Sequence, residues 1–149
     1  MFQSESHLPH VLAPVHYCDP ILLERELQKL MMPAWHCIGN VDDLSQRKEN
    51  YRFDMFGKTY EIDRVSRSIR MAAINSQRKS ERLDFSGRVQ IVGKLVFVSL
   101  NSAGQSLREF LGIHYDYIRN LFGGQWQRFL VAPQVVKANW KSLVENILE

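Results

Sequence analysis

Cysteine is scarce: Cys18 and Cys37 are the only two among 149 residues, and neither lies in a C-x-x-C. That excludes a disulfide-built secreted domain and makes a reduced, cytoplasmic setting the expectation. Long apolar runs are also missing. Nothing approaches the about 20 consecutive residues that a membrane helix needs. Met1-Phe2-Gln3-Ser4-Glu5 shows no basic and apolar secretory leader, so no membrane partner is expected. There is no G-x-S-x-G, no P-loop, no G-x-G-x-x-G and no H-E-x-x-H. The common hydrolase, nucleotide-binding and zinc-protease chemistries therefore have no motif to stand on. Internal repeats and low-complexity tracts are absent as well. Charge of one sign is in small excess, +3, too little by itself to argue for nucleic acid.

What remains is the composition of an ordinary globular domain, 45% hydrophobic and 23% charged, long enough to bury a core. The charge is unevenly spread. Arg64, Arg67, Arg70, Arg78, Lys79, Arg82, Arg88 and Lys94 meet only Glu81 and Asp84, so this segment carries +6 and the rest of the chain −3.

The most informative stretch is the last, 138–149. Trp140, Leu143, Val144, Ile147 and Leu148 recur at helical spacing behind Asn139, a good N-cap, which predicts an amphipathic helix. It ends at Glu149 without a closing Gly or a basic last turn, the look of a helix cut short.

Earlier, residues 1–18 hold His7, His10 and His16 with Pro9 and Pro14, an irregular lead-in. Pro9 spoils the helical spacing of His7 and His10, so no metal site is expected there. Asp19-Pro20 opens a helix with Ile21, Leu22, Leu23, Leu27, Leu30 and Met31 on its apolar face, and Pro33 ends it. Residues 34–39 read as a buried strand and 40–50 as a polar loop. Residues 51–56 and 59–63 form a hairpin across Gly57-Lys58. Residues 69–74 are another strand, 75–86 a basic loop, and 88–92 with 95–100 a second hairpin across Gly93-Lys94. Short helices follow at 106–111 and 114–122, the latter closed by Gly123-Gly124; 127–137 returns as strand before the final helix. This order predicts an α+β domain with a small antiparallel sandwich or barrel at its centre.

Three stretches carry a resemblance. His16-Tyr17-Cys18-Asp19-Pro20 leads to Ala34-Trp35-His36-Cys37-Ile38-Gly39 and Asn40-Val41-Asp42-Asp43-Leu44. Gly93-Lys94-Leu95-Val96-Phe97-Val98-Ser99-Leu100-Asn101 precedes Ser106-Leu107-Arg108-Glu109-Phe110-Leu111-Gly112. Last come Asn139-Trp140-Lys141 and Val144-Glu145-Asn146, with Glu149. Together they resemble the α subunit of Rieske-type non-haem iron ring-hydroxylating oxygenases, and the last matches the family's N-W-K-x-x-x-E-N signature. The resemblance implies a degenerate Rieske-like antiparallel β domain with flanking helices and the first strand and helix of the catalytic domain. The implied division is 1–33 for the lead-in and helix, 34–112 for the β domain and 113–149 for the start of the catalytic domain. The family reaction is iron-dependent O2 hydroxylation of aromatic or small organic substrates, using a 2Fe–2S cluster and a mononuclear Fe(II).

The ligands for those groups are missing. A Rieske centre takes two Cys and two His, in the family as C-x-H and C-x-x-H, and neither pattern occurs. After Asn75 the chain reads Ser76-Gln77-Arg78-Lys79-Ser80, then passes to the strand that in the family follows the whole cluster subdomain. Successive strand residues face opposite ways, so His36 and Cys37 cannot chelate together, and Cys37 is expected to be a packed core thiol. In the family the first histidine of the mononuclear iron site follows the N-W-K helix; this chain stops before it. By the resemblance, Asn146 matches a residue near that iron, and Glu149 the carboxylate bridging the two metal sites. No cofactor is expected to bind.

Three readings follow. One is a truncated relative without redox chemistry of its own, whose missing subdomain should leave the strand face around 69–74 poorly covered. Another is an assembly module that pairs with an intact α subunit or with itself, with Tyr117, Phe122 and Trp126 as contact candidates. The third is an anion or nucleic-acid binder in which Arg78, Lys79 and Arg82 meet phosphate while Tyr60 and Phe85 stack on bases; a basic loop is more usually just solvated.

Overall fold

A computed structural model describes residues 12–46, 50–65, 68–74, 82–124 and 136–148. The chain divides into two compact units, one made of 1–30 with 129–149 and one of 31–128.

The described elements of the first unit are helices. Val15–Cys18 makes a single turn, α1, where an irregular lead-in was expected. Asp19 then caps α2, Pro20–Glu26: its Oδ1 accepts from the backbone N–H of Ile21 at 2.8 Å and of Leu22 at 3.4 Å, and Pro20 fills the first turn. Helical winding continues in π form over Leu27–Met31. The C-terminal helix, Trp140–Leu148, belongs to the same unit. Of the strand expected at 127–137, all but Val136 and Lys137 lies outside the described residues, and those two are in no strand.

The second unit is built on one six-stranded antiparallel sheet in the order β1-β6-β5-β4-β3-β2. The strands are β1 Trp35–Asn40, β2 Tyr51–Met55, β3 Lys58–Val65, β4 Ser68–Ile74, β5 Arg82–Val92 and β6 Leu95–Ser99. Strands β2 to β6 form a meander, and β1 joins beside β6. The β2–β3 turn lies at Phe56-Gly57, one residue earlier than expected. Both residues have positive φ, 49° and 72°, as a two-residue hairpin loop of this hand requires, and Gly57 takes the second position without strain.

The two ends of the strand order meet. The Tyr51 hydroxyl on β2 donates to the Ile38 carbonyl on β1 at 3.2 Å, so the sheet curls into a nearly closed barrel. Alternation along β6 then buries both faces. Val96 and Val98 point inward with Tyr60, Ile62, Met71 and Ala73. Phe97 points outward with Trp35, Val92 and Leu107. The outer cluster is covered by α4, Leu107–Leu111, and α5, His114–Leu121, through Leu111, Tyr115 and Ile118. A reciprocal capping box of Ser106 and Glu109 starts α4. The β5–β6 turn packs close under the end of α5. Lys94 N–H donates to the Phe122 carbonyl at 2.9 Å, and a Cβ on Gly93 would fall 2.8 Å from the Phe122 carbonyl carbon.

Four expectations are corrected. Residues 41–46 are helix α3, not loop: the Asn40 side chain accepts from Asp42 N–H and the Asp43 carboxylate from Asn40 N–H, while Val41 and Leu44 pack on the inner cluster. The stretch expected as loop to residue 86 is already strand β5 from Arg82. Pairing with β4 holds it extended despite its polar, aperiodic sequence, and a register shift between Met71 and Ala73 absorbs the irregularity. The 69–74 face is covered: Met71, Ala73 and Ile74 are buried, because the sheet closes over its own concave side. Cys37 is exposed rather than packed, since β1 is an end strand of the sheet order, although partial burial still pushes its thiol pKa up.

Candidate functional site

Of the N-W-K…E-N residues, Asn139, Trp140, Lys141 and Glu145 meet Tyr17 of α1 and Glu26 of α2 at the start of α6, Trp140–Leu148. Asn139 starts the helix. Its side-chain oxygen accepts from Lys141 N–H at 3.0 Å, while its amide Nδ2 donates to the Tyr17 carbonyl at 2.9 Å. One residue on, Trp140 Nε1 donates to Glu26 Oε2 at 3.0 Å. Lys141 Nζ donates to both oxygens of the same carboxylate, at 2.8 and 2.6 Å. A turn later Glu145 accepts from the Tyr17 hydroxyl at 2.5 Å. The ammonium of Lys141 also stands 5.9 Å from the centre of the Tyr17 ring.

The ion pair is well covered: the Lys141 side chain is 7% exposed and that of Glu26 14%. Hydrogen bonding to Lys141 holds the Glu26 carboxyl below the usual carboxylate range, against the opposing effect of burial; Trp140 and the nearby charges of Lys141 and His16 add to the lowering. The hydrogen bond to Glu145, then burial and the Glu145 charge, push the Tyr17 phenol above its ordinary value.

This set can bear load and orient helices, since every charged member has a protein partner. Asn146 is exposed on α6, and Glu149 lies outside the described residues. Cys18 and Cys37 are both exposed, one in each unit. His36 Nε2 donates to the Met31 carbonyl at 2.6 Å and its ring meets Phe56 edge-on. Among the described residues no three His, Cys, Asp or Glu side chains converge as metal ligands would. Among the described residues the donor set fits neither a Rieske cluster nor a three-ligand iron site.

The basic segment does not assemble into a phosphate-binding face among the described residues. Arg88 donates to the carbonyls of Asn101 and Gly104 and lies 4.8 Å over Trp35, and Lys94 stands 3.8 Å from Asp42. Arg70 is exposed. Tyr60, expected to stack on bases, is buried in the barrel at 2% exposure, which removes it from that role. The side chains of Arg64, Arg67, Arg78, Lys79, Arg82 and Phe85 lie outside the described residues.

Of the contact candidates, Tyr117 is exposed, Phe122 is half-buried with its carbonyl engaged by Lys94, and Trp126 lies outside the described residues. Sequence reasoning missed Ile113, 89% exposed, and Phe110, which like Tyr117 are exposed apolar residues of the 107–121 segment. Leu107, Leu111, Tyr115 and Ile118 already supply the inward contacts of this segment, so the further apolar residues were legible as surplus. It also missed Glu26 and Tyr17, whose only signal was a lone acid and a lone phenol beside apolar helix positions.

No family model, curated protein or solved structure matches the chain. No helix among the described residues is long and apolar enough to cross a membrane.

Proposed function

We propose that the chain is a degenerate relative of the Rieske oxygenase α subunit, working in the cytoplasm as a structural remnant without redox chemistry of its own. The observation that supports this most is the use made of its signature residues. Asn139, Trp140, Lys141 and Glu145 are all spent on Tyr17 and Glu26, and Asn146 is exposed, with no cluster of metal-ligating side chains among the described residues. The antiparallel barrel-like sheet with helices beside it is compatible with the same ancestry. Anaerobic reconstitution with ferrous iron and sulfide tests the reading. Iron should be lost on desalting; a retained stoichiometric chromophore would return the chain to the redox enzymes.

A second reading, assembly with an intact α subunit or with itself, is favoured by the exposure of Phe110, Ile113 and Tyr117. Large apolar side chains left exposed, Ile113 above all, are candidates for contact with a partner. Sedimentation should then show self-association or co-migration with an added α subunit, and Ile113→Asp should abolish it while leaving the circular dichroism unchanged.

A further inference from the structure

The C-terminal helix sits the wrong way round for a helix held by hydrophobic burial. Among its described side chains the most buried is Lys141, whereas Leu143, Val144 and Ile147 are exposed, Ile147 at 82%. An amphipathic helix normally turns its apolar stripe to its neighbours. Here the polar row faces them, and the contacts to residues 12–26 are hydrogen bonds and an ion pair. α2 shows the same pattern, with Ile21 and Leu23 exposed and Glu26 covered.

We propose that Glu26 and Lys141 form an ionic latch that keeps residues 136–148 on residues 12–30, and that neutralising Glu26 frees the C-terminal helix. The inference rests on this geometry alone and holds whatever the ancestry of the chain. Glu26 is the hub because it accepts three hydrogen bonds, two from Lys141 and one from Trp140. Taking away its charge leaves a covered ammonium without its counter-ion, and such a group draws water in and moves out. The groups that face Glu26 are Lys141 and Trp140 from α6 and His16 from α1; Tyr17 and Glu145 form a second tie one turn away.

The pH window follows from the signs. Glu26 is depressed in the folded chain, so its contribution is present above the free carboxylate value and lost as pH falls through the folded one. Tyr17 is raised, so its tie is intact below the free phenol value and is lost as pH rises through the folded one. The latch is closed at neutral pH and opens in acid below the ordinary carboxylate range.

The test uses the full chain and two readouts. Amide exchange at neutral pH in Glu26→Gln should speed up by about tenfold or more over 140–148, while β6 amides, the reference for folding of the other unit, keep their protection. Lys141→Met should do the same, and the double variant should lose no more than either single one, because both remove the same interaction. The indole N–H resonance of Trp140, assigned by its absence in Trp140→Phe, should shift with one acid titration in the native chain and stay at a fixed position in Glu26→Gln. Native exchange rates over 140–148 in Glu26→Gln would overturn the latch, as would additive single variants or an indole resonance that ignores acid.

Discussion

Replacing Tyr60 by Ala should destabilise the 31–128 unit by about 3–5 kcal/mol, the usual range for removing a fully buried aromatic side chain. Tyr60 is 2% exposed at the centre of the barrel, among Ile62, Met71, Ala73, Val96 and Val98, and its ring stacks on Phe53 at 5.6 Å. Such a loss is comparable with the whole stability of many small domains, about 5–15 kcal/mol. Urea unfolding followed by far-ultraviolet circular dichroism reads the effect. A midpoint close to the native one would mean that the sheet does not close over Tyr60.

The second large effect is on the other side of the sheet. Leu107→Ala should cost about 2–5 kcal/mol, because Leu107 has no exposed surface and joins Trp35, Val92 and Phe97 under α4. The site differs from Tyr60 in what fails first. Losing Leu107 loosens α4 and α5 from the outer face, whereas the barrel interior keeps its own cluster. Amide exchange should therefore rise first over 107–121 in Leu107→Ala, and over β3, β4 and β6 in Tyr60→Ala. The same pattern in both variants would show one shared core instead of two.

Much of the sheet was legible because its strands obey local rules. The run Leu95–Ser99 has branched and aromatic residues on both faces, which suits a strand covered on both sides. Asp19-Pro20 marked the start of α2 through capping chemistry that needs only three adjacent residues. What stayed hidden depends on distant partners. Strand β5 begins within a polar stretch because β4 supplies its hydrogen bonds. Cys37 looked like a core thiol from its apolar neighbours, and only the position of β1 at the end of the sheet exposes it. Barrel closure rests on Tyr51 reaching Ile38, strands at opposite ends of the order, and no pattern in either segment announces it.

The candidate site divides in the same way. The N-W-K…E-N residues stood out by spacing, and they share one helix, as expected. Their partners were out of reach, since Lys141 meets Glu26 across 115 positions of sequence. The periodicity of α6 pointed to an apolar contact face, yet Leu143, Val144 and Ile147 are exposed and the polar row makes the contact. A helical wheel reports which residues share a face; it does not say which face is turned inward.

The measurement that bears most directly on the proposal of a redox-silent remnant is iron and acid-labile sulfide per chain on protein purified without oxygen, with its visible spectrum. The expected result is no iron, no sulfide and no absorbance beyond the aromatic bands. Two irons and two sulfides per chain, with the visible bands of a 2Fe–2S cluster, would contradict it and show that ligands are recruited from residues this reading leaves idle, Cys18 and Cys37 first among them.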